Sequence, residues 1–318
     1  MREASLPASN GMAKKRVVVT GASGFLGRHV VPALTKRGFE ITTLDRSASD
    51  SPNHCVLDLS QEVPTKALQG VDAIVHLAGN VNIKQSIEEP HTVMRDNLAM
   101  TLNILEAVRT QEKKPLVILL STDRVYGKAR GRVTEQSPTF PIEPYVASKL
   151  MSETALVAYA NLYEIPFVII RASAFFGPYQ PRRSFIADVI QKMKESDEIT
   201  VGPLKTIKDF IYVSDVADAV IAALKAPSRA HNRIYNIGGK PVSLETVLSH
   251  IKTIVERRLK KKIRVRVDRR AGSYTKHEIG PFRFSTSAAQ KFLRWKQKIP
   301  LKKGLELTVD HFLDRKST

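Results

Sequence analysis

The sequence has little cysteine and no long apolar run. Cys55 is its single cysteine, so no disulfide can form within the chain, and we expect a reducing compartment, the cytoplasm. The aliphatic run from Leu116 to Leu120 is far too short to cross a bilayer, so we expect no membrane span. Residues 1–16 lack the apolar core of a signal peptide. Together these features argue against a disulfide-stapled secreted scaffold and a helical membrane protein.

The histidines lack the spacing of a metal site, and we therefore predict no metal ion. We expect surface or packing roles for His76, His91, His231, His250 and His277.

Acidic residues are scarce in one region. The net charge is +19, and residues 251–303 hold 18 basic and 3 acidic residues, a balance of +15. One interpretation is attraction of an anionic partner: a nucleoside diphosphate, a nucleic acid or an anionic membrane surface. The other is a solvated basic face that keeps the protein soluble. Aromatics are sparse in this region and no nucleic-acid motif is present, so nucleic acid is the least supported partner.

A glycine-rich turn lies between a predicted strand and a predicted helix. Val17–Val19 are β-branched, as in a buried strand, and residues 28–36 have apolar side chains at helical spacing. Between them, Gly21, Gly24 and Gly27 form the pattern G-x-x-G-x-x-G. Such glycines allow a tight turn, close approach of a pyrophosphate and close helix packing, and the helix N-terminus attracts phosphate. The segment predicts a dinucleotide site, with an ordinary tight turn as the alternative.

Strand-like and helix-like segments alternate through the first half of the chain. This alternation predicts an α/β fold, a Rossmann-like doubly wound parallel sheet with helices on both faces. Beyond Pro178 the segments become shorter, which predicts a smaller C-terminal α/β lobe. Besides the first strand and helix, the predicted strands include residues 39–44, 55–57, 72–77, 115–120 and 167–170, and the predicted helices include residues 94–109 and 145–162.

Polar residues stand where two predicted strands end. Asp45 follows the second strand, where a carboxylate can bind both adenosine ribose hydroxyls and repel a 2′-phosphate. This favours NAD over NADP, although the adjacent Arg46 can pair with that phosphate, and a plain turn residue is the alternative. Ser121, Thr122 and Asp123 follow the fifth strand, at the sheet edge where ligands bind.

Tyr145 and Lys149 are four residues apart and therefore share one face of a predicted helix. Such pairs are common on helix surfaces. Beside a nucleotide fold and Ser121-Thr122, this pair becomes a candidate proton-transfer unit.

Motifs from about Arg16 to Leu313 resemble, in order, the extended short-chain dehydrogenase/reductases. Within that family the chain is most similar to the nucleotide-sugar epimerases and dehydratases, such as UDP-galactose 4-epimerases and dTDP-glucose 4,6-dehydratases. The motifs are Gly21-Ala-Ser-Gly24-Phe-Leu-Gly27, Asp45, Leu77-Ala-Gly79, Asn97, Ser121-Thr-Asp-Arg-Val-Tyr-Gly127, Tyr145-x-x-x-Lys149, Arg171 with Gly177-Pro178, Asp209-Phe-Ile-Tyr-Val-Ser-Asp215, Asn236-Ile-Gly-Gly239 and Phe292-Leu-Arg-Trp295.

The resemblance implies a tightly held NAD and a nucleoside-diphosphate sugar bound between two lobes. It also implies a homodimer through a four-helix bundle, built from the helices around Leu98–Val108 and Leu150–Leu162. The implied domains are an NAD-binding domain at residues 12–178, to which residues 206–242 return, and a sugar-nucleotide lobe at residues 179–205 and 243–318.

The resemblance also implies the roles of site residues. Tyr145 would be the catalytic base, whose phenolate takes the proton of a sugar hydroxyl, usually at C4, while hydride passes to the nicotinamide. Lys149 would favour the phenolate, Thr122 would orient the hydroxyl, and Asp123 would keep an acid in the site. The residues implied to contact the cofactor are Gly21, Ser23, Gly24, Phe25, Leu26, Gly27, Asp45, Arg46, Asp58, Leu59, Leu77, Ala78, Gly79, Asn97, Ser121, Tyr145 and Lys149.

On the substrate side, three residues differ from what many relatives have at the same positions, and one resembles it. Arg124 stands where the 4,6-dehydratases have a Glu that removes a ring proton, and an arginine stays protonated. Ala174 stands where many relatives have a substrate-contacting Asn. Lys208 stands where many relatives have an Arg. A lysine can neutralise a phosphate but cannot form a bidentate pair with it. Arg270 resembles the arginine that holds the pyrophosphate.

The leading hypothesis is an NAD-dependent nucleotide-sugar 4-epimerase that acts through a transient 4-keto sugar. A nucleotide-sugar dehydratase is the alternative, because Thr122-Asp123 is retained. A non-catalytic NAD-binding protein with a basic docking surface is a third hypothesis, based on the charge of residues 251–303.

Overall fold

The computed structural model describes residues 14–49, 53–61, 65–268 and 282–314, apart from the side chain of Lys66. Arg270, which the resemblance implies as a pyrophosphate ligand, lies outside these residues. Within the described ranges, no helix has the length and apolar character needed to cross a bilayer.

A seven-stranded sheet forms the larger lobe. Its strands are β1 (Arg16–Thr20), β2 (Glu40–Asp45), β3 (His54–Val56), β4 (Ala73–His76), β5 (Leu116–Thr122), β7 (Phe167–Ala172) and β11 (Arg233–Ile237). They lie in the order β3-β2-β1-β4-β5-β7-β11, and every neighbouring pair is parallel. All strand carboxyl ends therefore meet at one edge of this sheet.

Helices cover both faces of the large sheet. α1 (Gly27–Thr35) and α6 (Val213–Lys225) lie on one face, and α3 (Pro90–Arg109) and α4 (Pro144–Tyr163) lie on the other. The short helix α2 (Ile83–Glu88) packs against α3 and α4, whereas α5 (Phe185–Glu195), α7 (Leu244–Leu259) and α8 (Leu301–Asp314) belong to the smaller lobe. Along β1, Val17 and Val19 pack toward α1 and α6, whereas Val18 packs toward α3 and α4. This alternation is what a strand buried on both faces requires.

Short strands build the smaller lobe and its edges. They are β6 (Gly131–Val133), β8 (Ala174–Phe176), β9 (Glu198–Val201), β10 (Ile207–Tyr212), β12 (Lys240–Ser243), β13 (Arg264–Val267) and β14 (Phe282–Phe284). Strands β12, β10 and β8 form one sheet, β13 pairs with β9, and β14 pairs with β6. Side chains of α5, α7 and α8 share a core with β9 and β10. Residues 206–242 are divided, since β10 belongs to this lobe and β11 to the large sheet.

The predicted fold class, a Rossmann-like doubly wound parallel sheet, is confirmed. The helices α2, α5 and α8 and most of the small-lobe strands were not among the predicted elements.

Candidate active site

A cleft with a volume of about 690 Å³ opens where the large sheet's carboxyl edge meets the smaller lobe. Its size is typical of a small-molecule site. The predicted site residues that line it are Gly21, Gly24, Phe25, Leu26, Gly27, Leu77, Gly79, Ser121, Thr122, Asp123, Arg124, Tyr145, Lys149, Ala174 and Lys208.

The glycine turn at one end of the cleft fits a dinucleotide. Gly21 has a φ of +67°, and a Cβ atom there would lie 2.7 Å from the backbone nitrogen of Ala78. A Cβ atom on Gly27 would lie 2.4 Å from the carbonyl oxygen of Ala22. No side chain caps the N-terminus of α1, and its first turn has no acidic residue. The N-terminus of α1 therefore offers a positive dipole end to a pyrophosphate.

Asp45 ties the end of β2 to the glycine turn. One carboxylate oxygen accepts hydrogen bonds from Ser23 N at 2.9 Å and Ser23 Oγ at 2.6 Å, and the other accepts from Arg46 N at 2.7 Å. Partial burial raises the pKa of Asp45, but these hydrogen bonds outweigh that effect and hold it below its usual value. Asp45 is therefore an ionised acceptor beside the turn, as a ribose-binding carboxylate must be.

Seven of the residues predicted to contact the cofactor lie outside the described lining of the cleft. Their contacts with the cofactor stay predictions. They are Ser23, Asp45, Arg46, Asp58, Leu59, Ala78 and Asn97.

Asn97 has a clear role within the protein. Its side chain accepts from Asn80 N at 2.7 Å and donates to Asn80 O at 3.0 Å and to Ser148 Oγ at 2.9 Å. These bonds hold the segment that follows β4 against α4. Asn97 thus shapes the wall of the cleft from behind.

Tyr145 and Thr122 form the centre of the cleft wall. Both side chains line the cleft, Tyr145 is only 8% exposed, and the Thr122 side chain is among the groups that lower the pKa of Tyr145. Thr122 Oγ1 donates to Asp123 Oδ1 at 3.1 Å. Burial raises the pKa of Tyr145, and it raises the pKa of Asp123 to about 6. A phenol, a hydroxyl and a carboxyl group therefore line one ligand-sized cleft, with the hydroxyl bonded to the carboxyl group.

Lys149 lies in the same wall, and the charge that acts on its pKa is that of Glu153. Burial lowers the pKa of Lys149 to about 8, and the charge of Glu153 opposes this shift. After burial, the largest effect on the pKa of Tyr145 comes from Arg124, which lowers it. The resemblance implies that Lys149 and the nicotinamide favour the phenolate, and Arg124 is a further cation that acts on Tyr145.

Arg124 forms a bidentate ion pair that sequence reasoning missed. Its Nε lies 2.6 Å from Glu143 Oε1 and its Nη2 lies 2.8 Å from Glu143 Oε2. The Glu143 side chain is fully buried, whereas that of Arg124 is 14% exposed and lines the cleft. No sequence signal links the two residues, because they are separated by an irregular, proline-rich connection.

Further basic residues in the cleft wall were also missed. Lys84, on α2, and Arg183 and Lys192, from the smaller lobe, line the cleft together with Lys208. A sequence signal for α2 existed, because Asn82 caps the helix by accepting from the backbone nitrogen of Gln85 at 3.3 Å.

His76 is a buried packing residue in the structure. Its Nδ1 is hydrogen-bonded to Thr20 Oγ1 at 2.8 Å and its Nε2 to Thr101 Oγ1 at 3.3 Å, and burial lowers its pKa to about 3. In the part of the chain that the structure describes, no group of three or more His, Cys, Asp or Glu residues is placed to hold a metal ion.

Comparison with known proteins gives consistent matches. Residues 17–238 match the model of the NAD dependent epimerase/dehydratase family. The chain is 29% identical over 312 residues to a putative UDP-glucose 4-epimerase of Methanocaldococcus jannaschii, covering 92% of this chain and 97% of the relative. It is 29% identical over 328 residues to a dTDP-glucose 4,6-dehydratase of Xanthomonas campestris, covering 93% and 92%.

A solved structure shows the same architecture. The crystal structure of the Thermus thermophilus UDP-glucose 4-epimerase in complex with NAD matches with a TM-score of 0.78 and 27% identity, covering 93% of this chain and 98% of that chain. The matches thus include both an epimerase and a dehydratase.

Proposed function

The chain belongs to the NAD-dependent epimerase/dehydratase family, and from that premise we propose that it is a nucleotide-sugar 4-epimerase that acts through a transient 4-keto sugar. The observation that carries this proposal is that Tyr145 and Thr122 line the wall of a cleft that the glycine turn also lines. Bound NAD supplies what these side chains lack, a group that accepts a hydride from the carbinol carbon and returns it.

The chain's own residues handle the proton. Thr122 and Tyr145 both line the cleft, and a sugar hydroxyl bound between them would bond to both. The Tyr145 phenolate takes the hydroxyl proton as the carbon is oxidised, and the phenol returns it when the ketone is reduced. Reduction on the opposite face of the sugar inverts the carbon. Lys149, with a pKa of about 8, is mostly protonated at neutral pH and adds positive charge to this wall.

Arg124 favours epimerisation over 4,6-dehydration. A dehydratase of this family needs a base that removes a ring proton at this position. Arg124 stays protonated, and its guanidinium is already committed to Glu143 through two hydrogen bonds. Glu143 cannot substitute for that base, because it is fully buried behind Arg124.

One observation supports dehydration as the second candidate. The pKa of Asp123, raised to about 6 by burial, lets this group hold a proton in part of the molecules near neutral pH. A protonated carboxyl group in the cleft can donate to a leaving hydroxyl. An Asp123→Asn variant that kept full water-eliminating activity would remove this support.

We propose a nucleoside-diphosphate sugar as substrate, with UDP- and dTDP-sugars as the first choices from the names of the relatives. The basic side chains of Arg183, Lys192 and Lys208 in the cleft wall suit a diphosphate. Incubation of the purified, NAD-loaded protein with UDP-glucose and dTDP-glucose tests the proposal. NMR and mass spectrometry are expected to show an epimer of unchanged mass. A product lighter by one water would show a dehydratase, and absence of any product would refute both activities.

We further propose a homodimer through α3 and α4. These two helices pack against each other on one face of the sheet, and α4 leaves Met151 and Leu162 exposed at 38% and 71%. A pair of such helices from each of two copies would cover this surface. Light scattering after gel filtration is expected to give a dimer mass for the parent and a monomer mass for Met151→Glu. A monomeric parent would contradict the proposal.

A further inference from the structure

We propose that Arg124 is a positioning residue for the reacting tyrosine: held by Glu143, it presents the cationic end of a buried ion pair to Tyr145 and Asp123. This inference rests on the proposed function, because it concerns the proton transfer at the same site. It gives a role to the residue whose presence argues against ring-proton removal.

The ion pair has a fixed orientation. Two parallel hydrogen bonds of 2.6 and 2.8 Å join the guanidinium to both carboxylate oxygens, a geometry that allows little rotation. Arg124 forms part of the cleft wall, while Glu143 is fully buried behind it. The pair has no net charge, but its positive end is the one that faces the cleft. In a site with little water, the nearer charge of such a pair has the larger effect.

The same ion pair connects the two segments that carry the reacting groups. Arg124 lies in the 3₁₀ turn Asp123–Tyr126 after β5, and its backbone N–H donates to Thr122 Oγ1 at 3.2 Å. Glu143 is the residue before α4, two positions ahead of Tyr145, and its carbonyl accepts from Ala147 N at 3.0 Å. The bridge therefore also sets how closely Thr122 and Tyr145 approach each other.

The charged groups around Tyr145 act in opposite directions. Arg124 lowers the pKa of Tyr145, whereas Asp123 and Glu143 raise it, and burial raises it most. Lys149 follows on the same helix, and Lys208 and Asp209 of β10 act on the neighbouring Asp123. Because the two members of the ion pair have opposite effects, removing one charge at a time distinguishes an electrostatic role from a purely structural one.

The experiment compares Arg124→Met, Glu143→Gln, the double variant and Arg124→Lys, all as NAD-loaded protein. Two quantities are followed against pH: kcat/KM for UDP-glucose, and the tyrosinate absorbance of residue 145. The second is the difference between each protein and the same protein carrying Tyr145→Phe. It reports on the phenol without turnover.

The electrostatic role predicts shifts of opposite sign. Arg124→Met moves both the acidic limb of the rate profile and the tyrosinate transition to higher pH, and kcat/KM near neutral pH falls roughly three- to tenfold. Glu143→Gln moves both to lower pH. The double variant returns toward the parent, and Arg124→Lys lies between the parent and Arg124→Met because it keeps the charge and loses the fork.

Two results would overturn the inference: shifts of the two single variants in the same direction, or no shift in either. Should Arg124→Met fail to fold, Arg124→Lys and Glu143→Gln still give the two signs. The outcome is separable from the proposed function. A parent that epimerises while the variants show no opposed shifts removes only this inference, whereas a parent without turnover removes the proposed function and leaves the tyrosinate titration to decide the role of Arg124.

Discussion

At the scale of single residues, burial controls the chemistry of the cleft. Tyr145 and Asp123 are both shielded from water, and burial favours the uncharged form of each. The resting site therefore tends to keep its protons, and its activity depends on the cations that counter this tendency. Arg124 counters it at both groups, and Lys208 counters it at Asp123.

The first prediction concerns the phenol itself. Tyr145→Phe removes only the hydroxyl, so the variant is expected to keep its fold and its NAD content. It is expected to lose turnover by about 100-fold or more, as general acid–base groups do. Tyr163→Phe, at the far end of the same helix, is the matched control and is expected to turn over like the parent. Equal activity of Tyr145→Phe and the parent would contradict the mechanism.

The second prediction concerns stability against pH. The folded-state pKa of Asp123, about 6, lies above its ordinary value of 3.8, so the native state holds the proton more tightly than the unfolded chain. The parent therefore loses stability as the pH rises from about 4 through 6. Asp123→Asn carries no such charge, so its unfolding free energy relative to the parent is expected to rise by up to about 3 kcal/mol between pH 4 and pH 7.

Urea unfolding at a series of pH values measures this difference. Asp197→Asn, whose parent side chain is 71% exposed, is the surface control. If the difference in unfolding free energy between Asp123→Asn and the parent stays constant with pH, then folding does not raise the pKa of Asp123.

At the scale of elements, the sequence predicted the large sheet better than the smaller lobe. The central strands β1, β4, β5 and β7 are largely runs of buried β-branched or aliphatic residues, and this pattern is local. The strands β8, β9, β12 and β13 are three or four residues long, and their partners lie far away in the chain. No periodicity can be read from such short segments.

The candidate site was likewise predicted where the signal is local and missed where it depends on distant contacts. Gly21, Thr122 and Tyr145 were predicted from a glycine-rich turn, a polar strand end and a helical spacing, and the structure places all three in the lining of one cleft. The partnership of Arg124 with Glu143 depends on how a proline-rich connection folds back. Residue spacing carries no information about such a contact.

The third prediction concerns the buried clamp between α4 and β7. Glu153 and Arg171 are each 4% exposed in their side chains, and Arg171 Nη2 lies 2.6 Å from Glu153 Oε2. Arg171 also donates to Tyr126 OH at 2.9 Å. Glu153→Gln leaves a buried guanidinium without its counter-charge, so it is expected to cost about 3–5 kcal/mol of unfolding free energy.

Its matched control is Glu195→Gln. That residue bonds to Arg182 at 2.7 Å with side chains exposed at 48% and 59%, and its loss is expected to cost less than about 1 kcal/mol. Thermal and urea unfolding of the two variants check the contrast. Similar costs for both variants would contradict the assigned role of the buried pair.

At the scale of the whole molecule, the charge of the chain is not balanced. Several basic side chains between residues 251 and 303 pair with acids of the smaller lobe, as Arg258 does with Asp310 and Arg266 with Glu198. These pairs are exposed and contribute little to stability. The net charge of +19 remains as a field around a cleft that would receive an anionic sugar nucleotide.

The fourth prediction follows from this field. Raising NaCl screens the attraction between the protein and the diphosphate, so kcat/KM for UDP-glucose is expected to fall by about two- to tenfold between low and high salt. The value of kcat at saturating substrate is expected to stay nearly constant, because the reacting groups are buried. A constant kcat/KM would show that the basic surface does not steer the substrate.

UDP-glucose that carries deuterium at C4 probes proton removal by Tyr145 coupled to transient oxidation at that carbon. We expect slower turnover of the labelled sugar in the parent, an inverted product that keeps its deuterium at C4, and turnover lower by about 100-fold or more with Tyr145→Phe. Loss of the deuterium to solvent, or turnover that is indifferent to both the label and the phenol, would contradict this mechanism.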